Sequence, residues 1–288
     1  MKLPSFEYAS PATLAEAVAL LASSGGTAKP IAGGQSLLPT MAFRLAAPTL
    51  LVDLRKVPDL DRIAIQEDGV RLGAKVRWRD IEDDARLRTA HPLLVAAIAP
   101  VAHYQIRNLG TVGGSLAHAD PAAEMPGIAV TCDAEFTLTG ASGSRVLRSG
   151  DFFLGPLSTA LADDELIVEV RLPPWPAKRR WAFEEFSRRR GDFALAAVAV
   201  FYDVDEAGRA GNAHVGVIGA CHCPHRLAQA EAAVNGRVID ESAIRAAASA
   251  AAAAVNPPED LHASAAYRRS LVGTLLERAL KRALTRTS

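Results

Sequence analysis

Two glycine pairs in matching surroundings constrain this chain more than any other feature. Ile31-Ala32-Gly33-Gly34-Gln35-Ser36-Leu37 is echoed by Thr111-Val112-Gly113-Gly114-Ser115-Leu116. In each, an apolar approach meets Gly-Gly, then a small hydroxyl residue and a leucine. Glycine pairs turn sharply and let a backbone come close to a ligand, because no Cβ intervenes. Successive free N–H groups in such a turn form a concave anion site suited to a phosphate. A single Gly-Gly is commonly just a tight turn. Two in the same setting point to a diphosphate or dinucleotide held from two sides. Neither copy has the G-x-G-x-x-G spacing or the P-loop lysine, which disfavours a Rossmann domain or an NTPase.

The rest of the sequence sets limits. In 288 residues, 49% are apolar and the formal net charge is zero. Such a chain can build two cored domains and lacks the basic surplus that non-specific nucleic-acid binding requires. No run of about 18 apolar residues suggests a membrane span, and the N-terminus has no apolar signal core. A cytoplasmic location is expected. Only Cys132, Cys221 and Cys223 are present. Three thiols fall short of the four an ordinary iron–sulfur cluster uses, so any such cluster would have to sit on another chain.

A helix is expected from Ser10-Pro11, with Leu14, Val18 and Leu21 on its buried face and Gly25-Gly26 ending it. Strands follow at 30–32 and 50–54, with a turn or short helix over 35–44 between them. The alternation of 63–76 around Gly69 reads as a hairpin. Helices are expected at 78–87 and 92–101, and strands at 134–139 and 166–172. Pro173-Pro174-Trp175-Pro176 is the clearest linker. Beyond it come strands at 194–202 and 213–218 with Gly208 and Gly211 between them. Helices at 227–234, 243–255 and 265–285 complete the chain. The alanine-rich tract among these favours a helix that packs closely on a neighbour.

Other motifs say less. Cys221-His222-Cys223-Pro224-His225 offers metal-ligating atoms without a second ligand cluster, and reads better as the end of a strand. His118-Ala119-Asp120 lacks a partnering nucleophile motif and reads as ordering the second glycine segment. Arg188-Arg189-Arg190 is a solvated or interface charge run.

The two segments, with Phe6-Glu7-Tyr8, Arg107-Asn108-Leu109-Gly110, Ala119-Asp120-Pro121, residues 151–155, 189–194 and 260–268, resemble the FAD-binding medium subunit of molybdenum hydroxylases. That family includes carbon monoxide dehydrogenase and the hydroxylases of quinoline, nicotine and caffeine. The likeness spans essentially the whole chain. It implies an α+β fold: a vanillyl-alcohol-oxidase-like FAD-binding domain over 1–176, made of α+β subdomains at about 1–53 and 54–176, then a small α+β domain over 177–288. It also implies that Ala32, Gly33, Gly34, Gln35 and Ser36, with Thr111, Val112, Gly113, Gly114 and Ser115, wrap the FAD pyrophosphate through N–H groups and hydroxyls. Glu124 would bond the adenosine ribose, and Leu161 and Phe193 would lie near the isoalloxazine. Relatives often carry Tyr where Phe193 stands.

The molybdopterin cofactor and [2Fe–2S] clusters would belong to a large molybdenum subunit and a small iron–sulfur subunit, assembled as a dimer of heterotrimers. Electrons would leave to an external acceptor such as a quinone, cytochrome, oxygen or NAD. Two alternatives stay open at this point, a stand-alone flavin oxidase and a nucleotide-binding regulatory subunit without redox work. Neither a metal site nor a catalytic residue for the organic substrate is expected on this chain.

Overall fold

A computed structural model describes residues 2–286. The chain separates into two compact units, one formed by residues 2–83, 103–119 and 134–172, the other by 84–102, 120–133 and 173–286. Both mix helices with sheet, in keeping with the α+β expectation.

The first unit contains two larger sheets and a short two-stranded one, Phe153–Gly155 with Ser158–Thr159. In the smaller of the first two, the strand Leu50–Asp53 lies between Glu7–Ala9 and Ala28–Ile31 and runs parallel to both. Parallel strands need crossovers, and the helix Leu14–Ser23 lies between the first of them and Ala28–Ile31 in the chain. This helix begins later than Ser10-Pro11 suggested. Thr13 is the N-cap, and Glu16 reaches back to the cap backbone, forming a capping box that satisfies two otherwise orphaned donors. Ala17, Val18 and Leu21 form its buried face. Gly25 and Gly26 then take left-handed φ values of 57° and 84°, which only glycine adopts cheaply.

The larger sheet has five antiparallel strands, in the order Ile63–Gln66, Gly69–Gly73, Leu166–Leu172, Glu135–Gly140, Gly143–Arg148. The last of these is exposed almost throughout, so it carried no apolar alternation by which to be expected. The helix foreseen over 78–87 stops at Asp83, and a separate short helix spans Leu87–Ala90.

The second unit is built on the antiparallel strands Arg180–Phe186, Ala196–Val204, Ala210–Ile218 and His225–Arg226. Gly211 lies within the third strand rather than in the turn. Val198, Val200, Val215, Val217, Leu275, Leu276 and Leu280 belong to one buried core shared with the helices Glu241–Ala254 and Ala265–Thr285. The alanine-rich helix does allow close approach. A Cβ on Gly273 would sit 3.2 Å from the Ala248 carbonyl and 3.3 Å from the Ala252 methyl. Helix Glu124–Thr131 lies equally close to strand Ala210–Ile218, where Gly127 faces Ile218 and Gly216 faces Thr131.

The proline-rich stretch is anchored within this unit. Trp175 packs against His91 at 4.6 Å and Phe201 at 5.3 Å between ring centroids, and the Arg179 guanidinium lies over both Trp175 and Phe201. Burial pushes the His91 imidazole down to about 3. It therefore stays neutral, and its Nδ1 accepts the Leu94 N–H at the start of helix Pro92–Ile98.

Candidate functional site

The first glycine segment leaves strand Ala28–Ile31 beside the buried end of strand Leu50–Asp53, where Ile31 and Asp53 are paired in register. Asp53 is 3% exposed. It accepts the Tyr8 hydroxyl at 2.5 Å and Arg55 Nε at 2.5 Å. Burial alone would raise the Asp53 carboxyl, but the Tyr8 hydroxyl and the Arg55 N–H groups outweigh it and hold the group below the usual range. An ionised, multiply bonded carboxylate is a stiff anchor. It fixes the platform from which residues 32–36 depart.

Residues 33–36 form a nest with free donors. Gly34 has φ 69°, and the Gln35 side chain donates to the Gly33 carbonyl at 2.8 Å, bracing the loop from within. Among the described residues, no acceptor meets the N–H groups of Gly33, Gly34, Gln35 or Ser36. Ser36 precedes helix Leu37–Ala42 without using its side chain as a cap, which leaves its hydroxyl available as well. These positions are half-buried, Ala32 is exposed, and buried donors seldom lack partners. Four adjacent unpartnered donors on one loop suit an anion with several oxygens.

The second segment differs from the expectation. Residues 112–118 form a helix, Val112–His118, rather than a second nest. Val112 donates to the Val76 carbonyl at 2.9 Å and Gly113 to the Ala74 carbonyl at 2.8 Å. Gly114 donates to Thr111 Oγ1 at 3.2 Å, and Ser115 to the Thr111 carbonyl at 3.0 Å. The backbone donors of Val112, Gly113, Gly114 and Ser115 are thus already engaged. The Thr111 N–H and hydroxyl proton and the Ser115 hydroxyl remain, at the N-cap and in the first turn of the helix. The glycines serve packing, since a Cβ on Gly113 would lie 2.6 Å from that of Ala74. His118 is the last residue of this helix, and Ala119 ends it with φ 52°.

The two segments touch. A Cβ on Gly33 would run into the Leu109 carbonyl, with Gly110 Cα close behind. Gly110 in turn fits against the Trp78 indole, 2.8 Å from where its Cβ would be. Leu161 also belongs to this first unit, half-buried just after the short strand Ser158–Thr159.

Glu124 and Phe193 belong to the second unit. Glu124 opens helix Glu124–Thr131 and is 5% exposed. Its carboxyl is pushed up to about 8, first by burial and then by the charge of Glu185. Burial raises Glu185 itself to about 7, and Glu185 Oε2 has no partner among the described residues. The pair is protonated over much of the range in which ordinary carboxyls are ionised, so it can donate as well as accept hydrogen bonds. Phe193 is 61% exposed. Its apolar ring stands in solvent, which is unusual for phenylalanine. The expected site residues thus fall into two groups: residues 32–36, 111–115 and Leu161 in one unit, and Glu124 and Phe193 in the other. Asp53 was not singled out from sequence, and Leu109 only as part of the stretch 107–110 that carries the resemblance. Both act through contacts that no local motif displays.

Cys221 is buried, its Sγ against the Val217 carbonyl at 3.6 Å. Among the described residues, no three His, Cys, Asp or Glu side chains are placed to hold a metal ion. No helix of the described residues is long and apolar enough to cross a membrane.

Comparison with known proteins gives the same reading along the whole chain. Residues 4–175 match the FAD-binding domain in molybdopterin dehydrogenase, and residues 181–283 the CO dehydrogenase flavoprotein C-terminal domain. The nicotine 6-hydroxylase medium subunit of Paenarthrobacter nicotinovorans is 40% identical over 100% of both chains. The solved structure of carbon monoxide dehydrogenase from Hydrogenophaga pseudoflava superposes with a TM-score of 0.96 at 37% identity, covering 100% of each chain. Quinoline 2-oxidoreductase from Pseudomonas putida 86 gives 0.94 at 38% identity over 99% of each chain. The chain therefore belongs to the FAD-binding medium subunits of the molybdenum hydroxylase family.

Proposed function

We propose that this chain is the flavin relay of a multi-subunit molybdenum hydroxylase. The chemistry supplied by FAD when bound is electron transfer, from [2Fe–2S] clusters of a small partner subunit to an external acceptor. The observation that carries the reading is the row of unpartnered N–H donors at Gly33, Gly34, Gln35 and Ser36, in a chain whose relatives are medium subunits throughout their length.

The residues present fit a dinucleotide. The 33–36 nest would take pyrophosphate oxygens through its N–H groups and the Ser36 hydroxyl, alongside Ala32. Thr111 and Ser115 would add hydroxyls, and Val112, Gly113 and Gly114 would hold that helix turn in place. A protonated Glu124 suits a ribose diol, to which it can both donate and accept. Leu161 and Phe193 would supply the apolar wall for the isoalloxazine. The functional division is 1–176 for FAD binding and 177–288 for the smaller domain. We place the assembly in the cytoplasm as a dimer of heterotrimers with a large molybdenum subunit. Such a chain alone does no chemistry on the organic substrate.

The test is reconstitution of the purified full chain with FAD. A stoichiometric flavin spectrum, unaltered by adding candidate organic substrates, is the expected result. Absence of bound flavin would overturn the reading. Flavin reduction by an organic substrate in the isolated chain would favour a stand-alone oxidase.

A further inference from the structure

In the second unit, the turn that carries Phe193 is held by a segment far away in sequence. Residues 187–195 connect strands Arg180–Phe186 and Ala196–Val204, and residues 260–268 lead into helix Ala265–Thr285. The two stretches meet at two places, and the end of the preceding strand adds a third contact. The Phe186 and Tyr267 rings lie edge to face at 6.4 Å, and Arg188 Nη1 is 3.1 Å from His262 Nδ1. Beyond the turn, Arg268 Nη1 donates to the Leu195 carbonyl at 2.7 Å and to the Gly219 carbonyl at 3.0 Å.

Arg268 is 4% exposed. Its Nη2 donates to Asp260 Oδ2 at 2.7 Å, while its Nε has no partner among the described residues. Burying a guanidinium with one carboxylate and two neutral carbonyls is an expensive way to fill a helix face, since an apolar side chain of similar size would do so more cheaply. What the guanidinium adds is geometry, because its plane holds both carbonyls through Nη1 and the Asp260 carboxylate through Nη2 in one fixed arrangement.

The site it fixes is tight. Gly219 has φ 73°, and a Cβ there would lie 2.5 Å from the Ala194 carbonyl. Leu195 is tied to Phe186 through its N–H at 2.9 Å, and Gly219 to Pro121 through its N–H at 2.9 Å. Residue 193 therefore stands immediately before a locked pair, 194 and 195. The Pro121 bond links the same clamp to the turn that enters the Glu124 helix.

We infer that Arg268 is a positioning residue for the flavin site, setting the place of Phe193 by clamping Leu195 against Gly219. This rests on the reading that Phe193 borders the isoalloxazine. It gives one purpose to two stretches, 189–194 and 260–268, that the sequence presents as unrelated.

The test uses the full chain reconstituted with FAD, in the variants Arg268→Lys, Phe193→Ala and the two combined. Lysine keeps the charge but has one nitrogen, which cannot hold both carbonyls and the Asp260 carboxylate in the arrangement that Nη1 and Nη2 share. The expected result is that R268K changes the visible circular dichroism of the flavin and weakens FAD binding about tenfold, as small misplacements of site groups do. F193A should alter the same band, and R268K should add little in the F193A background. Should R268K fail to fold, Asp260→Asn replaces it, because the amide oxygen can keep the His262 and Ala263 N–H bonds while the charge facing Arg268 is lost. A full, additive R268K effect on top of F193A, or no change in band and affinity with R268K, would overturn the inference while leaving the flavin reading standing. An F193A protein with unaltered flavin would remove Phe193 from the site, and this inference with it.

Discussion

Gly33 and Leu109 pack backbone to backbone, with no room for a Cβ between the first and the Leu109 carbonyl. The first glycine segment is thus seated on the stretch that delivers the second. Gly33 therefore has a cause for intolerance to substitution inside the protein, in addition to any ligand. Gly33→Ala should destabilise the chain by about 1–3 kcal/mol, the usual range for forcing atoms into a packed site. FAD affinity should fall with it. Chemical denaturation with and without FAD measures both, and wild-type stability would contradict the close approach.

Thr111 caps helix Val112–His118 and also presents a hydroxyl. Thr111→Val removes the cap and should cost about 1 kcal/mol, while Thr111→Ser should restore most of it. The helix contains two glycines in its first turn and leans on that cap more than an ordinary helix would. Thermal melts of the three proteins distinguish these outcomes. Equal melting temperatures for Thr and Val would mean that the bonds to Ala74 and Val76 suffice.

Glu124 and Glu185 predict a pH dependence of definite sign. Burial raises both above the ordinary 4.5, Glu124 to about 8 and Glu185 to about 7. The folded state then binds these protons more tightly than the unfolded one. Their contribution to stability is full below about pH 4.5, where both states are protonated, and declines as pH rises toward 8. Asp120 and the start of the Glu124 helix also act on Glu124, in opposite directions. Glu185→Gln should flatten the decline, and Glu124→Gln should flatten it further. Denaturation at pH 5.5 and pH 8 tests this, and variants with the wild-type slope would rule the pair out as its source.

Much of the fold was legible because local patterns and final packing agree. Alternation around Gly69 gave the hairpin, and Leu14, Val18 and Leu21 lie on a helix whose cap sits only a few residues later than expected. Strand Arg180–Phe186 escaped because Arg180, Glu184 and Glu185 break its apolar pattern, although Trp181, Ala182 and Phe183 are buried. Helix Val112–His118 escaped because Gly113-Gly114 is among the poorest helix-forming pairs. It forms through the Thr111 cap and the close fit to Ala74.

The site divides in the same way. The nest at 33–36 was visible as a glycine pair after a strand. The engagement of the Val112 and Gly113 donors was not, because their acceptors lie on Val76 and Ala74, remote in sequence. Asp53 as an anchor depends on Tyr8, and the hold of Arg268 on the Phe193 turn spans an equally long separation. Long-range carbonyl and side-chain pairings leave no periodic trace.

The central claim is that this chain holds FAD through the 33–36 nest, and the most direct measurement is FAD content after reconstitution of wild type beside Gly34→Val. Gly34 sits at φ 69° between the Ile31 and Leu38 side chains. A branched residue there must leave the left-handed region and so turn the neighbouring N–H groups away. One FAD per wild-type chain, with little or none in a folded Gly34→Val protein, is the predicted result. Equal FAD in both, or none in either, would contradict it.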